Sequence, residues 1–282
     1  MLRGLFIAVS LLLVSVLFAQ PYVDVVNIRH MSSPNKGFFR RNNSSNSFQY
    51  SNISLTLPLQ FKKNGGALVF SPSFENWQTV VDNSRTFFPS GIALPITLLT
   101  RLKNKKFLLN TTAIIRNHGE KFTLPNTFQA GGLFLLNYKI NNKLTVKGGL
   151  YYNREAFGNF FMPLGGLEYK PDSTLNIWGT LPGSFFIEKR LKKWWYAGLT
   201  FKAVTNSYQL FNQRYLQVND NQLSLFSDFY LSKNFVINAE AGHSIFRQLK
   251  IGYTGKIRNY IFEEKTNDNY LFRISAAYRI RM

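Results

Sequence analysis

Residues 267–282, NDNYLFRISAAYRIRM, decide how this chain is read. From Tyr270 every second residue is apolar or aromatic: Tyr270, Phe272, Ile274, Ala276, Tyr278, Ile280 and Met282. The row between them carries Arg273, Ser275, Arg279 and Arg281. Successive side chains of a strand point to opposite faces, so this segment is a strand with one apolar and one polar face. Periodicity alone does not say which face is inside. The other strands and their connections settle that.

The same alternation recurs along the chain. Apolar rows run Ile53, Leu55, Leu57, Leu59, Phe61; Phe128 to Ile140; Leu144 to Tyr152; Trp195 to Ala203; and Phe235 to Ala241. The opposing rows are polar and carry charges in mid-strand. The predicted strands are roughly 22–32, 47–61, 66–78, 90–102, 106–117, 127–140, 143–155, 161–170, 174–181, 184–191, 194–207, 219–232, 235–247 and 269–281. Pro58, Pro72, Pro95 and Pro163 fall inside them, where each removes a ladder donor and predicts a bulge or bend. Tight turns such as RLKNKK, INNK, KPDST and LSKN alternate with longer connections near 33–46, 79–90, 117–127, 155–160, 208–220 and 248–268. Tight turns at one end and long loops at the other are the layout of an antiparallel meander.

A membrane-spanning barrel requires an apolar outer band about 25 Å tall, a polar interior, short turns on one side and longer loops on the other. Closure satisfies the backbone groups that a sheet edge would leave bare in lipid. The sequence therefore predicts an all-β, up-and-down transmembrane β-barrel of about 12–14 strands over residues 47–282, preceded by an N-terminal segment, 20–46, holding a first strand or plug. Aromatic residues make up 16% of the chain and gather at strand ends, as interfacial girdles do. The competing fold is an exported soluble β-sandwich binding protein, with the apolar rows in its core. Residues 1–19 read as an export signal: Arg3, then an apolar run from Leu5 to Ala19. The expected location is the cell outer membrane.

The sequence contains no cysteine, which excludes disulfides, thiolate metal sites and cysteine nucleophiles. A net charge of +20 favours anionic partners, here outer-membrane lipids and small anionic solutes. Export, with no helix-turn-helix or zinc spacing, argues against nucleic acid. No spacing of His, Asp and Glu suggests a metal, and no glycine-rich loop suggests a phosphate cofactor.

The stretch from Gly149 to Ala203 carries PLGGLEYKPD, LPGS and RLKKWWYAG. It resembles an uncharacterised family of outer-membrane β-barrel proteins of Gram-negative bacteria, a domain of unknown function. The resemblance covers roughly residues 45–282. It implies a barrel and an outer-membrane location, and no activity. The chain departs from many such barrels in ending on Met282 rather than Phe or Trp.

The expected function is a non-catalytic channel or transporter for small solutes, or a structural barrel. Candidate lumen residues are Arg116, Lys147, Glu155, Lys202, Asp228, Glu240 and Arg273. Candidate residues of a basic ring facing the lipid leaflet are Lys103, Lys105, Lys106, Lys192 and Lys193. Among the histidines, His118 reads as a solvated rim residue and His243 as an interfacial one. His30 and Ser32 share a strand face, and an adjacent histidine can activate a serine. Asn42, Asn43 and Asn46 are the nearby candidates to orient such a pair. The enzyme alternative is thus a lipid hydrolase using His30 and Ser32.

Overall fold

A computed structural model describes residues 21–33, 47–61, 66–81, 85–256, 259–265 and 268–282. The segment 1–19, Asn42, Asn43 and Asn46 lie outside them.

The described residues form β1 (Tyr22–Ser33), β2 (Phe48–Leu55), β3 (Leu57–Gln60), β4 (Ala67–Phe70), β5 (Ser73–Val81), β6 (Arg85–Phe87), β7 (Ser90–Arg101), β8 (Phe107–Gly119) and β9 (Phe128–Lys139). They continue with β10 (Leu144–Glu155), β11 (Gly158–Tyr169), β12 (Leu175–Leu181), β13 (Ser184–Lys192), β14 (Trp195–Leu210), β15 (Arg214–Tyr230), β16 (Phe235–Tyr253), β17 (Tyr260–Lys265) and β18 (Tyr270–Arg281). β2 with β3, and β4 with β5, each make one wall strand, while β6 and β17 extend the long-loop end. The wall is a closed antiparallel barrel of fourteen strands. β1 closes it, pairing with β18 on one side and β2 on the other. Tyr22–Ser33 is therefore part of the wall itself.

Closure fixes which face is inside. On β18, Phe272 and Ile274 are 52% and 58% exposed, whereas Arg273 and Arg279 are buried. Ile53, Phe74, Ile92, Phe134, Leu150, Phe161, Leu199 and Leu225 are also exposed. The apolar rows face outward and the polar rows inward, the reverse of a soluble sandwich. That inversion is stable only where lipid takes the place of water around the wall, so this is a transmembrane barrel of the outer-membrane type.

Prolines act locally. Pro72 falls in the break between β4 and β5, where its carbonyl accepts the Leu55 amide at 2.9 Å. Pro58, Pro95 and Pro163 stay within strands, paired with Val69, Ile114 and Leu150.

Two bulges change the inward set. In β1 the register slips between Asp24 and Val26. Tyr22 and Asp24 face inward before the slip, and Asn27, Arg29 and Met31 after it. In β16 the slip lies opposite Asn219 to Asn221, and Phe246 takes φ 55°. Phe246 is turned out, 75% exposed, and Arg247 is turned in and buried.

Three of the expected loops are not loops. Residues 208–220 belong mostly to β14 and β15, which meet in a turn of three residues. Residues 155–160 are a short turn at Ala156 and Phe157. β16 runs on to Tyr253 and pairs with β17. At about 3.4 Å per residue, the 19 residues of β16 far outreach the apolar band. Asn206, Ser207, Gln209, Gln217 and Asn219 have loop-like composition, but they sit in the hairpin that crosses the barrel mouth.

Candidate functional site

The candidate site is the lumen with its two mouths. It is built from the inward rows, which the barrel's closure brings face to face.

At the tight-turn mouth, Arg279 bridges Asp24 and Asp228, each at 2.5 Å. Arg281 pairs with Glu188 at 2.6 Å and donates to the Tyr230 hydroxyl at 2.6 Å. Its guanidinium lies 3.5 Å from the Tyr196 ring centre, and that of Arg279 lies 3.6 Å from Tyr22. Tyr22 meets Trp178 edge to face at 5.7 Å, a contact from β1 to β12 across the lumen.

In mid-lumen Lys202 donates to both Glu240 oxygens, at 2.8 and 3.1 Å. Arg273 binds the same carboxylate and Gln222. Lys147 pairs with Glu168. Towards the long-loop end, Arg116 pairs with Glu155 at 3.3 Å and donates to Tyr151 at 3.1 Å. Arg247 holds Asp220 through Nε and Nη2, both at 3.1 Å, and donates to Ser33 at 2.8 Å.

The tip of the β14–β15 hairpin covers the long-loop mouth. Residues 207–210 and 215–218 are buried without alternation, so both faces of the tip are covered. Its backbone reaches β8 across the opening: Gln209 pairs with Gly119, and the Glu120 amide donates to the Gln209 carbonyl at 2.9 Å. Gln129 donates to the Ser207 carbonyl at 2.9 Å, and Ser207 donates to Glu155 at 2.7 Å. Tyr208 and Asn206 donate to Glu75 at 2.5 and 3.1 Å. Beneath the tip Met31, Phe48, Trp77, Tyr208, Leu210, Leu216, Val218, Leu249 and Leu271 form one apolar cluster. Glu120, partly buried beside the tip, has its carboxyl raised above the ordinary range by desolvation. In the exposed turn before β12, Asp172 is lowered by hydrogen bonds from the Thr174 hydroxyl and amide and the Leu175 amide.

All seven expected lumen residues, Arg116, Lys147, Glu155, Lys202, Asp228, Glu240 and Arg273, lie on inward rows. Each has a partner of opposite charge. Lys103, Lys105, Lys106, Lys192 and Lys193 are exposed at the tight-turn rim. Lys192 Nζ lies 5.5 Å from the Trp194 ring, which stacks with Trp195 and Phe229.

His118 departs from its expected rim position. It is buried, with its ring stacked 5.1 Å from Tyr208, because the hairpin tip closes over the end of β8. His30 and Ser32 share the outward side of β1, but His30 Nδ1 bonds the Ser51 hydroxyl on β2 at 2.9 Å, not Ser32. His243 is on the outward row and its Nδ1 meets the Ser244 carbonyl at 2.6 Å. Arg247, Asp220 and Glu75 were not singled out from sequence, whereas Arg281 stands in the polar row of the last strand. For Arg247 there was a signal: an arginine on the continuation of an apolar row needs a bulge or a partner.

No family model matches the chain, and a search of characterised proteins finds no match either. Among solved structures, the chain is similar to the NanC porin at 6% identity, covering 90% of this chain and 100% of that one, with a TM-score of 0.43. It is similar to an outer membrane channel from Pseudomonas putida F1 at 9% identity, covering 94% and 97%, with a TM-score of 0.48. A mutant porin of Rh. blastica matches at 6% identity, covering 92% and 98%, with a TM-score of 0.33.

Proposed function

We propose that this barrel sits in an outer membrane as a non-catalytic channel for small polar or anionic solutes. One observation carries the reading: charged residues line the lumen from mouth to mouth. Moving an ion out of water costs several kcal/mol even after relaxation. Beneath the hairpin the interior is apolar instead, so this barrel does not need charge merely to fill its lumen. A polar lumen has a use where solutes or water pass. The lysines of the tight-turn rim would raise the local concentration of anions at that mouth, and would also meet anionic headgroups, each contributing about 1 kcal/mol.

Membership of the uncharacterised outer-membrane family is part of the same proposal. Its PLGGLEYKPD stretch forms the end of β11 and the turn capped by Asp172, and RLKKWWYAG forms the β13–β14 turn.

The hairpin over the mouth favours a second reading, a structural barrel. Planar-bilayer recording of the purified full chain separates the two. Discrete conductance steps with anion preference at low salt support the channel. A protein that inserts, is heat-modifiable on gels and gives no steps supports the structural barrel.

A further inference from the structure

We infer that Arg29, Arg273 and Lys202 form a binding site for a small oxyanion, a carboxylate or a phosphate, in the middle of the lumen. The inference deepens the channel reading, on which access to the site rests, by naming the solute class.

The argument begins with pairing. Buried charges are stable when paired and hydrogen-bonded. Asp24, Glu155, Glu168, Glu188, Asp220, Asp228 and Glu240 each meet a lysine or arginine. Arg29 breaks the pattern. The β1 bulge puts it on the inward row, opposite Ser275 of β18 and Asn52 of β2, both neutral. Its Nε is buried with no hydrogen-bond partner, and among the described residues it makes no ion pair. On β18 Ser275 lies directly opposite it and Arg273, paired with Glu240 of β16, is the next inward residue along the same row.

Glu240 is the carboxylate these cations share. It takes two contacts from Lys202 and one from Arg273. Three cations around one carboxylate leave local positive charge inside a barrel wall. The Nε of Arg273 is a second buried donor without a partner. Guanidinium groups offer parallel donors that match the paired oxygens of a carboxylate or phosphate. An oxyanion here would satisfy the idle donors and offset the excess charge together.

The test uses the full chain, purified in micelles and labelled so that the arginine Nε–Hε resonances are resolved. It is titrated at fixed ionic strength with acetate in one arm and inorganic phosphate in the other. Saturable shifts of the Arg29 and Arg273 resonances are expected. The arm that saturates identifies the ligand as carboxylate or phosphate, and no saturable shift in either overturns the site. Arg29→Gln should weaken binding at least tenfold, read on Arg273, while Lys256→Gln at the long-loop end leaves it unchanged. Equal affinity in Arg29→Gln overturns the inference. Ser275→Asp guards against misfolding: it sets a carboxylate opposite Arg29 and should abolish binding without lowering the unfolding temperature. Undiminished binding in that variant also overturns it. Because binding is read in micelles, a chain that binds but does not conduct refutes the channel and leaves the site standing.

Discussion

Asp220→Ala should be among the most damaging single substitutions in the lumen. Asp220 accepts two hydrogen bonds from Arg247 at 3.1 Å and one from Gln222 at 2.7 Å. The two charged side chains are 1% and 0% exposed, so solvent screens the pair little. At this separation and an effective dielectric of about 20, the Coulomb attraction is about 5 kcal/mol. Removing one partner of a buried pair costs about 3–5 kcal/mol, because the other charge stays behind in a dry place. The guanidinium also donates to Ser33 at 2.8 Å and lies 4.4 Å from the Phe48 ring. A loss of about 3–5 kcal/mol is therefore expected for Asp220→Ala. The double variant Asp220→Leu with Arg247→Met should lie within about 1 kcal/mol of wild type or above it, since matched apolar replacement of a buried pair is often neutral or stabilising. The assay is reversible urea unfolding in phospholipid vesicles, followed by tryptophan fluorescence. A single-variant loss below about 1 kcal/mol, the range of exposed pairs, would show that water reaches this pair. It would refute the account of the hairpin as a seal.

Phe134→Arg places a charge on the outward row of β9 and should cost about 2–4 kcal/mol in the same assay if it meets the bilayer midplane; a cost near zero would mean the belt is misplaced. Replacing residues 207–217 by Asn-Gly, so that Asn206 and Val218 flank a tight turn, removes the tip that reaches Gly119 and Glu75. Bilayer conductance should then rise several-fold, and an unchanged conductance would show that the tip does not limit flow. Carbon-13 titration of side-chain carboxyls should find Asp172 below the ordinary range and Glu120 above it. By linkage, the Asp172 contribution is present above its unfolded pKa and lost as pH falls through its lower folded value. The Glu120 shift has the opposite sign: its contribution is full below the unfolded pKa and lost as pH rises through the folded one. The reverse order of the two carboxyls would refute both assignments.

The wall was legible because lipid imposes a strict period of two. The rows at Ile53–Phe61, Phe128–Ile140 and Tyr270–Met282 could be read directly, and their charged opposites marked the lumen. The β14–β15 tip was not legible, since a segment buried on both faces loses the alternation that reveals a strand. Its Asn, Gln and Ser residues make hydrogen bonds inside the molecule, yet their composition is that of a loop. His118 was misplaced for the same reason: its burial comes from a hairpin far away in sequence. Bulges were the other gap. A one-residue slip exchanges the two faces of a strand, and the residue at positive φ in β16 is Phe246, a type that gives no warning of it. Arg29 lay within the segment read for His30 and Ser32, but its inward aim depends on the slip after Asp24.

The central claim is that the apolar row faces lipid and the arginine row faces the lumen. The chain has no native cysteine, so single cysteines can be placed without background. Cysteine at positions 271–276, one at a time, would be labelled with an environment-sensitive fluorophore and the protein inserted into vesicles containing a lipid-bound nitroxide. The account predicts strong quenching at Phe272, Ile274 and Ala276 and weak quenching at Leu271, Arg273 and Ser275. Quenching in the opposite phase, or with no period of two, would contradict it.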